Sequence, residues 1–199
     1  MFLLSIGHYP QAPGATNGEH TEHSIASTWV KRIVEILQGD GFPIDTVPTG
    51  HLPSKVDFIN TYAGVQFTAE LHFNGNIDGA HGCESLYYPG STQGKRFADI
   101  VLEEFDKRDI FQPNRGSKEA WYKMDKPGVV DYAGDVDGDE TIDYFVRKTA
   151  IPAIIIEPEF MSNLDLIMHE QFYDGCDAIA QAVRRFSEYL EAIKNETDQ

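Results

Sequence analysis

Basic residues and cysteines are scarce in this chain. Sixteen lysines and arginines stand against 32 acids over 199 residues, a formal net charge of −16. Phosphate backbones and anionic membrane surfaces would repel such a surface, so nucleic acid is not an expected partner. Two cysteines, Cys83 and Cys176, are too few for a disulfide framework and wrongly spaced for a CxxC metal knuckle, and they read as inert small hydrophobes. No run approaches the roughly 20 apolar residues that cross a bilayer, so no stable membrane association is expected. The opening MFLLSI lacks a basic leader and runs straight into GHYP, which makes it a first strand rather than a signal peptide. What is present, 41% hydrophobic and 12% aromatic residues, suffices for one core with little left for a second. A single domain over residues 1–199, monomeric, is the expectation.

Hydrophobic periodicity divides the chain into alternating elements. Residues 2–6 form an apolar run, followed by a loop dense in Gly and Pro. Ile25, Trp29, Ile33 and Leu37 then recur at helical spacing, with Thr21 as cap and Gly39 or Gly41 as stop. Residues 42–47 and 65–71 read as strands, with a helix over 56–64 between them. Residues 83–88 read as a further strand, and Ser91 or Thr92 caps a helix carrying Phe97, Val101 and Phe105. The continuous run at 151–156 suits a strand covered on both faces, and Ile179, Val183, Phe186, Leu190 and Ile193 mark a closing amphipathic helix. Together these predict an α/β fold, a twisted, mostly parallel sheet with helices on both faces. Residues 122–143 are polar, acidic and glycine-bearing and read as a long loop or insertion. Within them DVDGDETID imitates the start of a calcium loop, but the twelfth position holds Val146 instead of Glu, which favours a solvated acidic turn.

Four side chains fall where strands run out or a helix begins: His8, Glu22, His72 and Glu157. Strand ends of an open α/β sheet are where ligands bind. Two imidazoles and a carboxylate suit Zn2+, leaving the second carboxylate to handle a proton. Each residue alone has a plainer reading; Glu22, for instance, could serve the helix dipole. Glu19, His20 and His23 compete with Glu22 as ligands, and Glu159 competes with Glu157. His51, His81 and His169 have no ligand-like spacing and read as surface or core-edge histidines.

Several blocks together resemble the zinc-dependent N-acetylmuramoyl-L-alanine amidases. They are GHYPQAPGA at 7–15 followed by Glu22 leading a helix, ELHFNGN at 70–76, GCESLYYPGS, NRGSKEAWY, and YFVRKTAIPAIIIEPEFMSN. The resemblance covers nearly the whole chain in the family's order. It implies hydrolysis of the amide between N-acetylmuramic acid and L-alanine, with peptidoglycan or a muropeptide as substrate. It matches His8, Glu22 and His72 to the metal ligands and Glu157 to the catalytic carboxylate. Glu84, Asn74 and Arg147 become candidates for supporting or substrate contacts. A catalytic domain with no appended wall-binding module is similar to compact endolysins acting on the cell wall. The chain departs from the family at Tyr9, Pro10 and Ala12, where glycines and an Asp are usual, and at Lys55, aligned near a common Arg. Its segment between Trp121 and Tyr144 is also longer than the usual link. A zinc exopeptidase or deacylase is the rival enzyme, favoured by any carboxylate clamp from Arg115 or Arg147. A non-catalytic glycan-binding module is the third class, opposed by the presence of all four chemical residues.

Overall fold

The computed structural model describes residues 1–121 and 142–197. In chain order the elements are β1 (Phe2–Ile6), a small hairpin of β2 (Thr16–Asn17) and β3 (His20–Thr21), α1 (Glu22–Gly39), β4 (Ile44–Thr46), α2 (Leu52–Thr61), β5 (Phe67–Leu71) and β6 (Glu84–Tyr87). They continue with α3 (Thr92–Lys107), β7 (Ser117–Glu119), α4 (Tyr144–Lys148), β8 (Ala153–Glu157), a π-helical turn (Leu166–Glu170) and α5 (Phe172–Thr197). One six-stranded sheet runs in the order β4-β1-β5-β8-β6-β7. Every pairing is parallel except β6 with β8, which is antiparallel.

Side chains alternate across a strand, and the two faces of this sheet carry separate cores. Phe2 and Leu4 of β1, Phe67, Ala69 and Leu71 of β5, and Ile154 and Ile156 of β8 pack under α1, α3 and α5. The intervening Leu3, Ala153 and Ile155 face α2 and α4, whose Val56, Ile59, Phe145 and Val146 cover them. The central strands are thus covered on both faces, and β8, AIIIE, reads as an unbroken apolar run up to its last residue. Glu157 continues the phase of Ala153 and Ile155 and lies on the α2/α4 side.

Where the elements begin differs from periodicity in informative ways. Helix α2 starts at Leu52, four residues before the expected Val56, because Pro53 sits in its first turn, where no intrahelical N–H is required. The polar edge strand β7 has no hydrophobic alternation to announce it, since only its backbone joins β6. The closing helix extends to Thr197, beyond Ile193, the last residue of its apolar stripe. Most of the predicted loop at 122–143, the acidic turn included, lies outside the described residues; of it, Ile142 bridges to Trp121 and Asp143 caps α4.

The core under α1 is organised by Trp29, fully buried, whose indole Nε1 donates to Ile167 O at 2.8 Å. Gly175 of α5 lies directly against that ring. A Cβ there would fall 2.4 Å from Trp29 Cη2 and 2.9 Å from Phe111 Cε2, and both rings are enclosed. Gly175→Ala should therefore cost about 1–3 kcal/mol by overpacking. Thermal unfolding should show it as a lower Tm, at roughly 2–4 °C per kcal/mol for a domain of this size. Cys83 and Cys176 are buried free thiols; burial pushes the pKa of Cys83 up to about 12 and that of Cys176 well above its ordinary value.

Candidate metal centre and catalytic cavity

Parallel pairing of β1 with β5, in register Ile6 opposite Leu71, delivers His8 and His72 from adjacent strand ends. The crossing is tight. Gly7 N donates to Leu71 O at 2.8 Å, and a Cβ on Gly7 would lie 2.6 Å from that oxygen and 2.8 Å from His72 ring atoms. Past it the chain turns through a left-handed conformation at His8 (φ 60°). The two imidazole centroids are 4.9 Å apart, with planes at 71°.

Glu22 is brought to these rings by its helix. Thr21 caps α1 by accepting from Ser24 N, while Ser24 Oγ accepts from Thr21 N, which locks the first turn. The Glu22 carboxylate is 4% exposed and held on both oxygens by backbone: Ala15 N donates to Oε2 at 3.2 Å and Phe73 N to Oε1 at 3.1 Å. His8 Nε2 lies 3.0 Å from Oε2 and His72 Nδ1 lies 2.8 Å from Oε1. Burial raises the carboxyl's pKa, but hydrogen bonds from His72 and His8 outweigh it and hold it well below the usual range. His72 in turn is lowered by burial and raised further by Glu22 and Glu70, ending well above its ordinary value.

One ligand atom from each of His8, Glu22 and His72 lies within 4.8 Å of the others. Two imidazoles and one carboxylate gathered this closely are a donor set that suits a zinc ion. The backbone leaves room for it with glycine. At Gly14 (φ +79°) a Cβ would fall 2.5 Å from Glu22 Oε2 and 2.6 Å from His8 Nε2. Gly14→Ala should then weaken zinc binding on the order of tenfold or more, as loss of ligand orientation typically does. Competition with a chromophoric chelator measures it.

The competing ligand candidates lie outside this group. Glu19 is exposed, and His20 sits in the β2–β3 hairpin beside a small pocket near Trp29 and Phe172. His23 places Nδ1 3.1 Å from Gly7 O. His81 is exposed, with Nδ1 3.8 Å from Glu159.

Beside these three side chains a cavity of about 680 Å3 opens on the α2/α4 side of the sheet. Its walls include Tyr9, Leu52, Glu84, Arg115, Trp121 and Glu157. The antiparallel pairing of β6 with β8 sets Glu84 directly across from Glu157. Burial raises the Glu157 carboxyl to about 7; His72 and Arg115 pull it down, while Glu22 and Glu84 push it further up. Glu84 itself is engaged by Arg115 at 3.2 Å and by Lys118, and the Arg115 guanidinium lies 4.7 Å over the Phe160 ring.

The remaining candidates lie elsewhere. Strand β8 ends at Glu157, so alternation does not carry on to Glu159. That residue is fully buried and accepts from Gly82 N and Phe160 N, tying two loops together. Asn74 exchanges backbone hydrogen bonds with the 159–161 segment, and it is not among the residues lining the cavity. Arg147 sits on α4 with its guanidinium 5.7 Å over Tyr144, likewise outside the cavity lining.

Two buried charges at the centre went unassigned in the sequence, Glu70 and the amine of Lys55. Glu70 Oε2 lies 3.1 Å from His72 Nε2, and its Oε1 accepts from Lys55 Nζ and Ser5 Oγ, both at 2.8 Å. Burial raises the Glu70 carboxyl, but Lys55 first and His72 next bring it well below the usual range. The signal available was an acid inside the buried strand segment FTAEL.

A family profile described as N-acetylmuramoyl-L-alanine amidase matches residues 3–186. A search of curated proteins gave no match. Among solved structures, the N-acetylmuramoyl-L-alanine amidase AmiC2 of Nostoc punctiforme superposes with TM-score 0.73 at 20% identity, over 94% of this chain and 97% of that one. The catalytic domain of CwlV, an N-acetylmuramoyl-L-alanine amidase from Bacillus (Paenibacillus) polymyxa var. colistinus, gives 0.70 at 18%, over 96% and 99%. The catalytic domain of the CD27L endolysin targeting Clostridia difficile gives 0.66 at 19%, over 93% and 94%. At these identities the structural likeness speaks for the fold.

Proposed function

Since the chain belongs to the N-acetylmuramoyl-L-alanine amidase family, we propose that it hydrolyses the amide between N-acetylmuramic acid and L-alanine in peptidoglycan, using zinc held by His8, Glu22 and His72. The observation that carries this reading is the convergence of those three side chains beside a cavity that holds a fourth, separately positioned carboxylate. When bound, zinc supplies the Lewis acidity that polarises the scissile carbonyl and lets water attack near neutral pH.

The chain's own residues account for the rest. Glu22, gripped by two backbone amides and two imidazoles, keeps its charge and its orientation. Glu157 is the proton carrier. With a pKa of about 7 its two protonation states are balanced near neutrality, so it can accept a proton from attacking water and return it to the departing alanine nitrogen. Without that proton the amine would leave as an unstable anion. Leu52, Leu86 and Ile155 give part of the cavity an apolar wall, where such electrostatic effects act at lower dielectric than in water.

A zinc exopeptidase acting on free acyl-amino acids would need a cation ready for the substrate's carboxylate. Among the described residues lining the cavity, Arg115 and Lys118 are both engaged by Glu84, and Lys55 is paired with Glu70, which favours the amidase. The test is a digest of purified peptidoglycan. New alanine amino termini without new reducing sugars, lost on chelation and restored by zinc, are the expected result. New reducing ends, or activity indifferent to chelator, would overturn it.

A further inference from the structure

The ion pair behind His72 is placed to do more than fill space. Glu70 is 3% exposed in the middle of β5, and its carboxylate has three partners, each from a different element: Ser5 of β1, Lys55 of α2, and the imidazole Nε2 of His72 just beyond its own strand. Lys55, also 3% exposed, spends its remaining hydrogens on the carbonyls of Ile6 and His8, the latter at 3.0 Å. One buried pair thus touches both histidines of the metal centre, the ring of one and the backbone of the other. The His8 carbonyl it holds belongs to a residue in left-handed conformation, where a non-glycine chain needs outside support.

From this geometry we infer that Glu70, neutralised by Lys55, is a positioning residue for the metal centre: it takes the Nε2 hydrogen of His72 and so presents Nδ1 to the ion. The inference rests on the metal-centre reading above. A neutral imidazole carries one N–H and one lone pair. An acceptor-only carboxylate at Nε2 puts the hydrogen there and leaves the lone pair on Nδ1, the nitrogen that faces Glu22. The same hydrogen bond holds the ring plane and makes the imidazole a stronger donor, and loss of such partners typically lowers metal affinity about 10–100-fold. Lys55 is what permits an ionised carboxylate at that depth, because an isolated buried charge would be strongly disfavoured. A purely structural role explains less, since buried ion pairs can often be replaced by apolar groups without loss of stability.

The experiment measures zinc affinity by chelator competition and records visible spectra of the cobalt-substituted protein, for wild type, Glu70→Gln and the double variant Glu70→Gln/Lys55→Met. The double variant removes both charges together and protects the fold. The expected result is one zinc per wild-type chain, about 10–100-fold weaker binding in both variants, and altered cobalt bands, even where the double variant melts at the wild-type temperature. Independently of any variant, 1H–15N spectra of zinc-loaded wild type should show the His72 hydrogen on Nε2. Wild-type affinity in a folded variant, or the hydrogen on Nδ1, overturns the role of Glu70 and leaves the metal centre standing. Failure of the wild type to bind zinc overturns both.

Discussion

Glu157→Gln is expected to lower turnover on peptidoglycan by on the order of 10^2–10^4-fold, the range general acid–base catalysis contributes, while zinc still binds. Glutamine keeps the shape of the side chain on β8 but can neither take nor return a proton. The wild-type profile should carry an acid limb at or below about 7, the value that burial sets for this carboxyl; a cation beside it only favours its ionised form. Below the limb the carboxyl is protonated and cannot serve as base, so activity falls as pH falls. The variant's residual activity should lack that limb. Stability moves with the opposite sign. A folded pKa of about 7 against an ordinary value of 4.5 means the folded state holds this proton more tightly, so the stability it contributes is present at low pH and is lost as pH rises from about 4.5 to about 7. Metal-free Glu157→Gln should therefore gain on wild type above neutrality in a denaturant titration. Full turnover in the variant would move the proton carrier to another residue.

Glu22→Ala should remove the metal and the activity together. Apparent binding of about 10–16 kcal/mol spread over four zinc ligands is about 2.5–4 kcal/mol each, or roughly 10^2–10^3-fold in affinity for one ligand lost. The structural damage adds to this, because the amides of Ala15 and Phe73 lose their shared acceptor and the two histidines lose the anion between them. The folded Glu22 carboxyl lies below its ordinary value, so the stability it contributes is present above about 4.5 and lost only as pH falls through its lower folded value. Glu22→Gln separates the effects: it can still accept from one backbone amide but supplies no charge. Zinc content by mass spectrometry under native conditions, alongside melting curves, distinguishes lost ligation from lost fold. Retention of stoichiometric zinc at wild-type affinity would mean that the ion sits elsewhere.

Much of this architecture was legible because its signals are local. The helical stripe from Ile25 to Leu37, the Thr21 cap and the buried run ending in Glu157 are written in consecutive residues, and the structure places α1 and β8 there. His8, Glu22 and His72 stood out as candidates for the same reason, each at the boundary of such a signal. Other features carried no such signal. Strand β7 is three polar residues held by backbone pairing, and α4 is too short for a periodicity to repeat. Asn74 and Arg147 seemed close to the site by sequence, but backbone pairing and the packing of α4 place them outside the cavity lining. Glu159 looked equivalent to Glu157 until the strand ended between them.

By itself, then, the sequence determined the alternation of strands and helices, the two-sided burial of the central strands, and a short roster of candidate metal-binding groups, because hydrophobic period and capping are properties of neighbouring residues. Only the tertiary structure decided that β6 runs against β8, which sets Glu84 opposite Glu157, and that Lys55 of α2 reaches Glu70 beneath His72. Those pairings join residues 15 to 73 positions apart. Strand register and helix docking, settled by how the two cores close over the sheet, bring them within contact distance, and no local pattern encodes that choice.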